Sequence, residues 1–142
     1  MTNSSGNLRV VDLQSIAVPF NDDAIKVVGL RWGNAGATVI DVVSKRTGCR
    51  ACVEFTDDAG HRVLDELNLA GIWSGAAPSV LNATWLFEVR AGGWLDLEAT
   101  RADFYNQPEL ALREFLIAGY QECVSVLARS GPVVRETSDG LA

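Results

Sequence analysis

The chain has 142 residues, 48% of them apolar and 21% charged, the size and balance of one compact domain that needs neither a disulfide nor a metal to fold. Its 12 Lys and Arg against 18 Asp and Glu give a net charge of −6, which argues against nucleic acid and against anionic membranes and suits a basic partner, although acidity also serves solubility alone. No run is apolar enough to span a bilayer, the residues from Met1 to Asn7 lack the basic and apolar regions of a secretion signal, and 3 cysteines are an odd number for a disulfide framework, so a cytoplasmic protein is expected.

Residues 1–7 and 135–142 are small and polar and are expected to fray, bounding a single domain at 8–134. Within it, β-rich runs alternate with turn signals. The first is Ala24–Trp32, followed by a turn at Gly33–Gly36 and a second run at Ala37–Val43. A third run, Ala51–Thr56, meets Asp57-Asp58-Ala59-Gly60, a hairpin turn by composition that leads into His61–Leu64. Asp65-Glu66 then opens a short helix whose apolar residues Leu64, Leu67, Ile72 and Trp73 recur near helical spacing. Gly75 stops it, and Ala76–Ser79 is read as a loop.

From Thr84 to Arg101 two alternating runs flank Gly92-Gly93. A two-residue loop would mix their faces, whereas a three-residue loop, Ala91-Gly92-Gly93, sets Val89 against Leu95 and Phe87 against Leu97. The second register is expected; it also sets Trp94 opposite Arg90 and Glu88 opposite Asp96. Between Pro108 and Ala128 the apolar spacing fits a helix, but Cys123–Leu127 is β in propensity and Gly119 would fall mid-helix. A hairpin of Arg113–Ala118 and Cys123–Ala128, turning at Gly119–Glu122, is preferred. The fold class is therefore α+β, a mainly antiparallel meandering sheet with one or two short helices.

Chemical motifs are sparse. Cys49 and Cys52 form a CxxC, but only His61 and Cys123 could complete a tetrahedral metal site, and neither sits in a second spaced pair. Nor does the pair open a helix, as a redox dithiol would, so buried or surface free thiols are expected. His61, the only histidine, would have to serve any imidazole mechanism, yet no nucleophile motif accompanies it and a turn histidine is usually solvated. The pairs Asp22-Asp23, Asp57-Asp58, Asp65-Glu66 and Asp96 with Glu98 read as solvated turn and sheet residues rather than convergent acid–base pairs. No phosphate-binding glycine pattern occurs. No catalytic residue, metal or cofactor is assigned.

One cluster combines hot-spot residue types with acidic ones: Arg90 and Trp94 with Glu88, Asp96 and Glu98. Arg90, Trp94, Asp96 and Glu98 are the candidate partner contacts. The competing reading makes Trp94 a core residue covered by a helix or a terminus.

The strings Arg62-Val63-Leu64-Asp65-Glu66 (with Leu69 and Trp73 following), Gly92-Gly93-Trp94-Leu95, Arg113-Glu114-Phe115-Leu116 and Glu122-Cys123-Val124-Ser125-Val126 fall within residues 50–130. Together they resemble small uncharacterised bacterial proteins of the toxin-immunity type. The resemblance implies a protein that occludes a basic toxin, and it carries over no catalytic residue. Three hypotheses follow: a protein-binding inhibitor, a small enzyme or ligand-binding domain using His61 and neighbouring carboxylates, with Cys52 as an optional further group, and a homodimer formed through an exposed edge, which is compatible with either.

Overall fold

The computed structural model describes residues 10–21, 24–33, 37–104 and 111–137. Strands β1 (Asp12–Ser15), β2 (Ile25–Trp32), β3 (Thr38–Ser44), β4 (Arg50–Phe55) and β5 (Asp58–Asp65) come first. A 3-10 turn (Glu66–Leu69) and helices α1 (Ala70–Gly75) and α2 (Pro78–Leu81) follow. The chain continues through β6 (Leu86–Ala91), α3 (Trp94–Glu98), β7 (Arg113–Ile117), β8 (Glu122–Ala128) and β9 (Val133–Thr137). The α+β class and the antiparallel meander are as expected, with three short α-helices among the described residues where one or two were expected. No helix of the described residues is long and apolar enough to cross a membrane.

The strands form two sheets, ordered β1-β6-β7-β8-β5 and β2-β3-β4-β9, each containing a three-strand meander. They pack face to face. Ile25, Ile40, Val42, Val53 and Phe55 of the smaller sheet share one core with Leu86, Phe115, Ile117, Val124 and Val126 of the larger. The Phe55 and Phe115 rings lie 5.4 Å apart. The larger sheet's other face packs Phe87, Val89, Leu116 and Cys123 against Leu69, Ile72 and Ala76 of the helical segment. A central sheet buried on both sides explains why β8 is apolar at nearly every position instead of alternating. The C-terminal hairpin forms as preferred, turning at residues 118–121.

Four of the sequence-based expectations give way. Asp57–Gly60 is no hairpin turn, because β5 starts inside it and pairs with β8, while β3 and β9 already occupy both edges of β4. The loop expected at Ala76–Ser79 becomes α2 from Pro78, whose fixed φ suits a first helical residue. The tail expected from Arg135 is strand as far as Thr137, with Arg135 bonded to Glu54 at 2.9 Å. The tail expected at residues 1–7 and the turn residues 34–36 lie outside the described residues.

The largest correction concerns the glycine pair. Thr84–Arg101 is not a hairpin, because Phe87 pairs with Ser15 and Leu116, and Val89 with Leu13 and Glu114. With both edges of β6 filled, the chain past Gly93 has no strand to join. Gly92 holds a positive φ of 84°, and a Cβ there would meet the Val10 carbonyl at 2.4 Å; one on Gly93 would meet the Glu114 carboxylate at 2.6 Å. The glycines admit a close chain crossing, after which Trp94–Glu98 coils as α3. Trp94 is thus not opposite Arg90, and Glu88 faces Phe115 and Gln14 rather than Asp96.

This difference is measurable. Leu97 is 59% exposed on α3, whereas the hairpin would have buried it against Phe87. Leu97→Ala should change stability by no more than about 0.5 kcal/mol in a urea titration; a loss of about 2–5 kcal/mol would mark a core position.

Candidate functional site

Glu114 is the second residue of β7 and points to the helix-covered face of the central sheet, in the row shared by Val89 and Leu127. Only 1% of it is exposed. An ionised side chain so placed needs donors, and the first N–H groups of a helix lack partners of their own. Trp94 N–H donates to Oε2 at 3.0 Å and Leu95 N–H to Oε1 at 2.8 Å. Asp96 in turn accepts from Gly92 N–H at 2.8 Å, tying down the approach to the helix. Burial pushes the Glu114 carboxyl above its ordinary value, against the pull of those two N–H groups and of Arg62.

Fixed in this way, α3 lays Trp94 across β5. The indole lies 4.8 Å from the Arg62 guanidinium, and its ring edge would be 3.9 Å from a Cβ on Gly60. The indole N–H donates to Glu98 at 3.0 Å, and Glu98 also holds Arg101 at 2.9 Å. Those two donations keep the Glu98 carboxyl below its ordinary range. Trp94 is half-buried and belongs to neither core cluster.

The opposite face of β5 carries a second aromatic group. Register slips between Asp58 and Gly60, leaving Ala59 as an extra residue. The bulge turns Asp58 and His61 toward the same side, although residues three apart in a regular strand point to opposite sides. Both face the smaller sheet. Asp58 Oδ2 accepts from the Thr38 hydroxyl at 2.7 Å, and the His61 ring meets Trp32 edge-on at 5.8 Å. Trp32, the last residue of β2, is 70% exposed. With Gly33, Asp58, Ala59, Gly60 and His61 it lines an open cavity of about 440 Å³.

Of the four expected contacts, Trp94, Asp96 and Glu98 share α3, while Arg90 stands apart. Arg90 is the extra residue of a bulge where β6 pairs with β1, and it lies 3.8 Å from Glu88. Glu88 is also forked by Arg113 at 2.9 and 3.0 Å, hydrogen bonds that hold its carboxyl below the ordinary range. The sequence reading did not single out Trp32, Arg62 or Glu114, and it took Asp58 for a solvated turn residue, naming it only as part of the Asp57-Asp58 pair near His61. Trp32 had a signal, since a large aromatic at a strand's end beside a polar glycine turn has little to bury it. Asp58 had none, because the bulge leaves no mark in the alternation.

The thiols are separate from this face and from one another in role. Cys49, Cys52 and Cys123 are all free. Cys52 is buried on β4 beside Arg135, and burial pushes the Cys123 thiol up to about 11, which leaves Cys123 protonated at neutral pH. Among the described residues no three of His, Cys, Asp and Glu converge to hold a metal. Comparison with protein-family models, with curated proteins and with solved structures finds no match to this chain.

The Glu114 seat predicts a pH dependence. A free glutamate titrates near 4.5, and the folded group holds its proton to higher pH. Stability from that proton is complete below 4.5 and is withdrawn as pH rises through the folded value. The hydroxyl oxygen of the protonated carboxyl can still accept from an N–H group whereas the amide nitrogen of Gln cannot, so Glu114→Gln should cost about 1–3 kcal/mol in acid. The gap to the native chain should narrow toward neutrality, as read from urea titrations across pH; a gap that widens would refute the assignment.

Proposed function

We propose that the chain is a protein-binding inhibitor, of the immunity type, that covers a functional cleft of a basic partner with the β5 face. The observation that carries this reading is the placement of two tryptophans outside the core, one on each face of the strand that closes the central sheet. Tryptophan is the residue whose truncation most often costs binding, and an aromatic 70% exposed contributes little to folding. Carboxylates surround the pair: Asp58 beside Trp32, and Glu98 and Asp96 on the helix of Trp94. With a net charge of −6, the chain would steer toward a basic surface before the aromatics engage.

The face also favours contact over chemistry. Asp58 and His61 share one open cavity, the single observation in favour of a small enzyme or ligand-binding site built on His61. His61→Ala with no loss in any measured activity or ligand response would remove that second reading. Cys52 lies on β4 and does not line this cavity.

The binding reading is tested by capturing partners with the tagged chain from a lysate of the organism that encodes it, then measuring the purified pair by calorimetry. A basic partner at one-to-one stoichiometry, with affinity that falls as salt rises, is expected. Trp32→Ala should weaken that pair by about 30-fold or more, equivalent to about 2 kcal/mol, with an unchanged thermal transition. Trp94→Ala should weaken it as well. Val133→Ser on β9, at the far edge of the smaller sheet, should leave affinity unaltered. A partner bound equally well by both tryptophan variants would place the contact elsewhere.

A further inference from the structure

We propose that the cavity between Trp32, Asp58 and His61 is a guanidinium seat that takes one arginine side chain of the partner. The source of that arginine rests on the binding reading above; the chemistry of the cavity stands on its own geometry. Three features of the lining point to a planar cation. Trp32 offers an indole that is 70% exposed, its contact with His61 being edge-on rather than stacked. A cation over an indole face is held by the ring quadrupole, and a guanidinium adds stacking that an ammonium cannot. Asp58 supplies the countercharge. Thr38 fixes its Oδ2 at 2.7 Å, and among the described residues the carboxylate makes no other hydrogen bond or ion pair. The third feature is the cation content. Among the described residues the lining contains no lysine or arginine, and two neighbouring guanidinium groups are directed elsewhere: Arg31 forks onto Asp41 at 3.1 Å on the outer face of the smaller sheet, and Arg62 lies over Trp94 on the far side of β5.

The chain already contains such a unit. On the other face of the same strand, Arg62 rests on Trp94 while Glu98 accepts the indole N–H. The Trp32 cavity repeats the tryptophan and the carboxylate but not the arginine, which an incoming protein would bring. The cavity of about 440 Å³ is ample for one guanidinium and its stem. Because Thr38 needs only an acceptor, Asp58→Asn keeps that hydrogen bond and removes the charge alone.

The test needs no partner. N-acetyl-argininamide is titrated into the intact protein while the tryptophan indole N–H signals are followed by nuclear magnetic resonance, with N-acetyl-citrullinamide as the uncharged isostere and N-acetyl-lysinamide as the non-planar cation. The expected result is a saturable shift of the Trp32 signal with argininamide, weakened at least tenfold with either analogue and in Asp58→Asn. The absence of a saturable shift with argininamide, or an equal response to citrullinamide or lysinamide, overturns the seat. The two proposals fail separately. A captured partner whose affinity is unchanged by Asp58→Asn removes the arginine contact and leaves the binding face. Argininamide seating in a chain that captures no basic partner keeps the guanidinium site and removes the inhibitor reading.

Discussion

A buried carboxylate organises the α3 side of this molecule's central sheet. Glu114 sits in the middle layer of a three-layer structure, where a charge without donors would cost several kcal/mol. The chain meets that demand with the free N–H groups at the start of α3, and the requirement runs in both directions. Without Glu114, the first N–H groups of a five-residue helix lose their acceptor in the sheet; without α3, the carboxylate loses both of its hydrogen-bond donors. Everything placed by α3 depends on this contact. Trp94 rests over Arg62 because Trp94 N–H is anchored beneath it, and Glu98 can reach the indole because it lies one turn further along. The glycines before the helix serve the same contact, since a side chain on Gly93 would occupy the space of the Glu114 oxygens.

Much of the fold was legible because most strands here obey short-range rules. The runs at β2, β3 and β4 stand where apolar, β-branched segments recur in the sequence, and the helical segment stops at Gly75 as its spacing requires. The C-terminal hairpin was readable from Gly119 and the β-branched content of Cys123–Leu127. A Cβ on Gly119 would meet the Glu122 carbonyl at 2.3 Å, so the turn needs that glycine. What could not be read was partnership. A pattern of alternation states that a segment is a strand and does not name the strand it joins. The expected hairpin at Gly92-Gly93 was a sound local inference that failed because β1, some seventy-five residues earlier in the chain, had taken one edge of β6 and β7 the other.

Bulges account for most of the remainder. Val28 in β2, Ala59 in β5 and Arg90 in β6 each add one residue to a strand against its partner. Each exchanges the faces beyond it. In β2, Ile25 and Val27 point inward before the bulge and Leu30 and Trp32 after it, so a period of two read from either end misplaces the other end. In β5, the same shift gathers Asp58 and His61 on one side. The acidic and aromatic content of the site was therefore visible in composition, while its grouping was not. Arg90 was assigned to a face by strict alternation, and the bulge removed the premise.

The same irregularities constrain how a partner can be met. The two long strands at this side of the sandwich, β2 and β5, each have an edge that no strand among the described residues pairs, and an unpaired edge invites another strand. Both carry a bulge, which twists the edge and interrupts the regular series of N–H and C=O groups that a pairing strand would need. Recognition by strand addition is thereby disfavoured. Side chains remain as the means of contact, and those flanking β5 are two indoles with carboxylates beside them. On the binding reading proposed above, a surface that discourages backbone pairing while exposing aromatic and acidic groups would favour partners with protruding cationic side chains over partners with a free strand. On this argument the bulge at Ala59 serves two ends: it protects the edge from other chains, and it brings Asp58 to the same side as His61, facing Trp32.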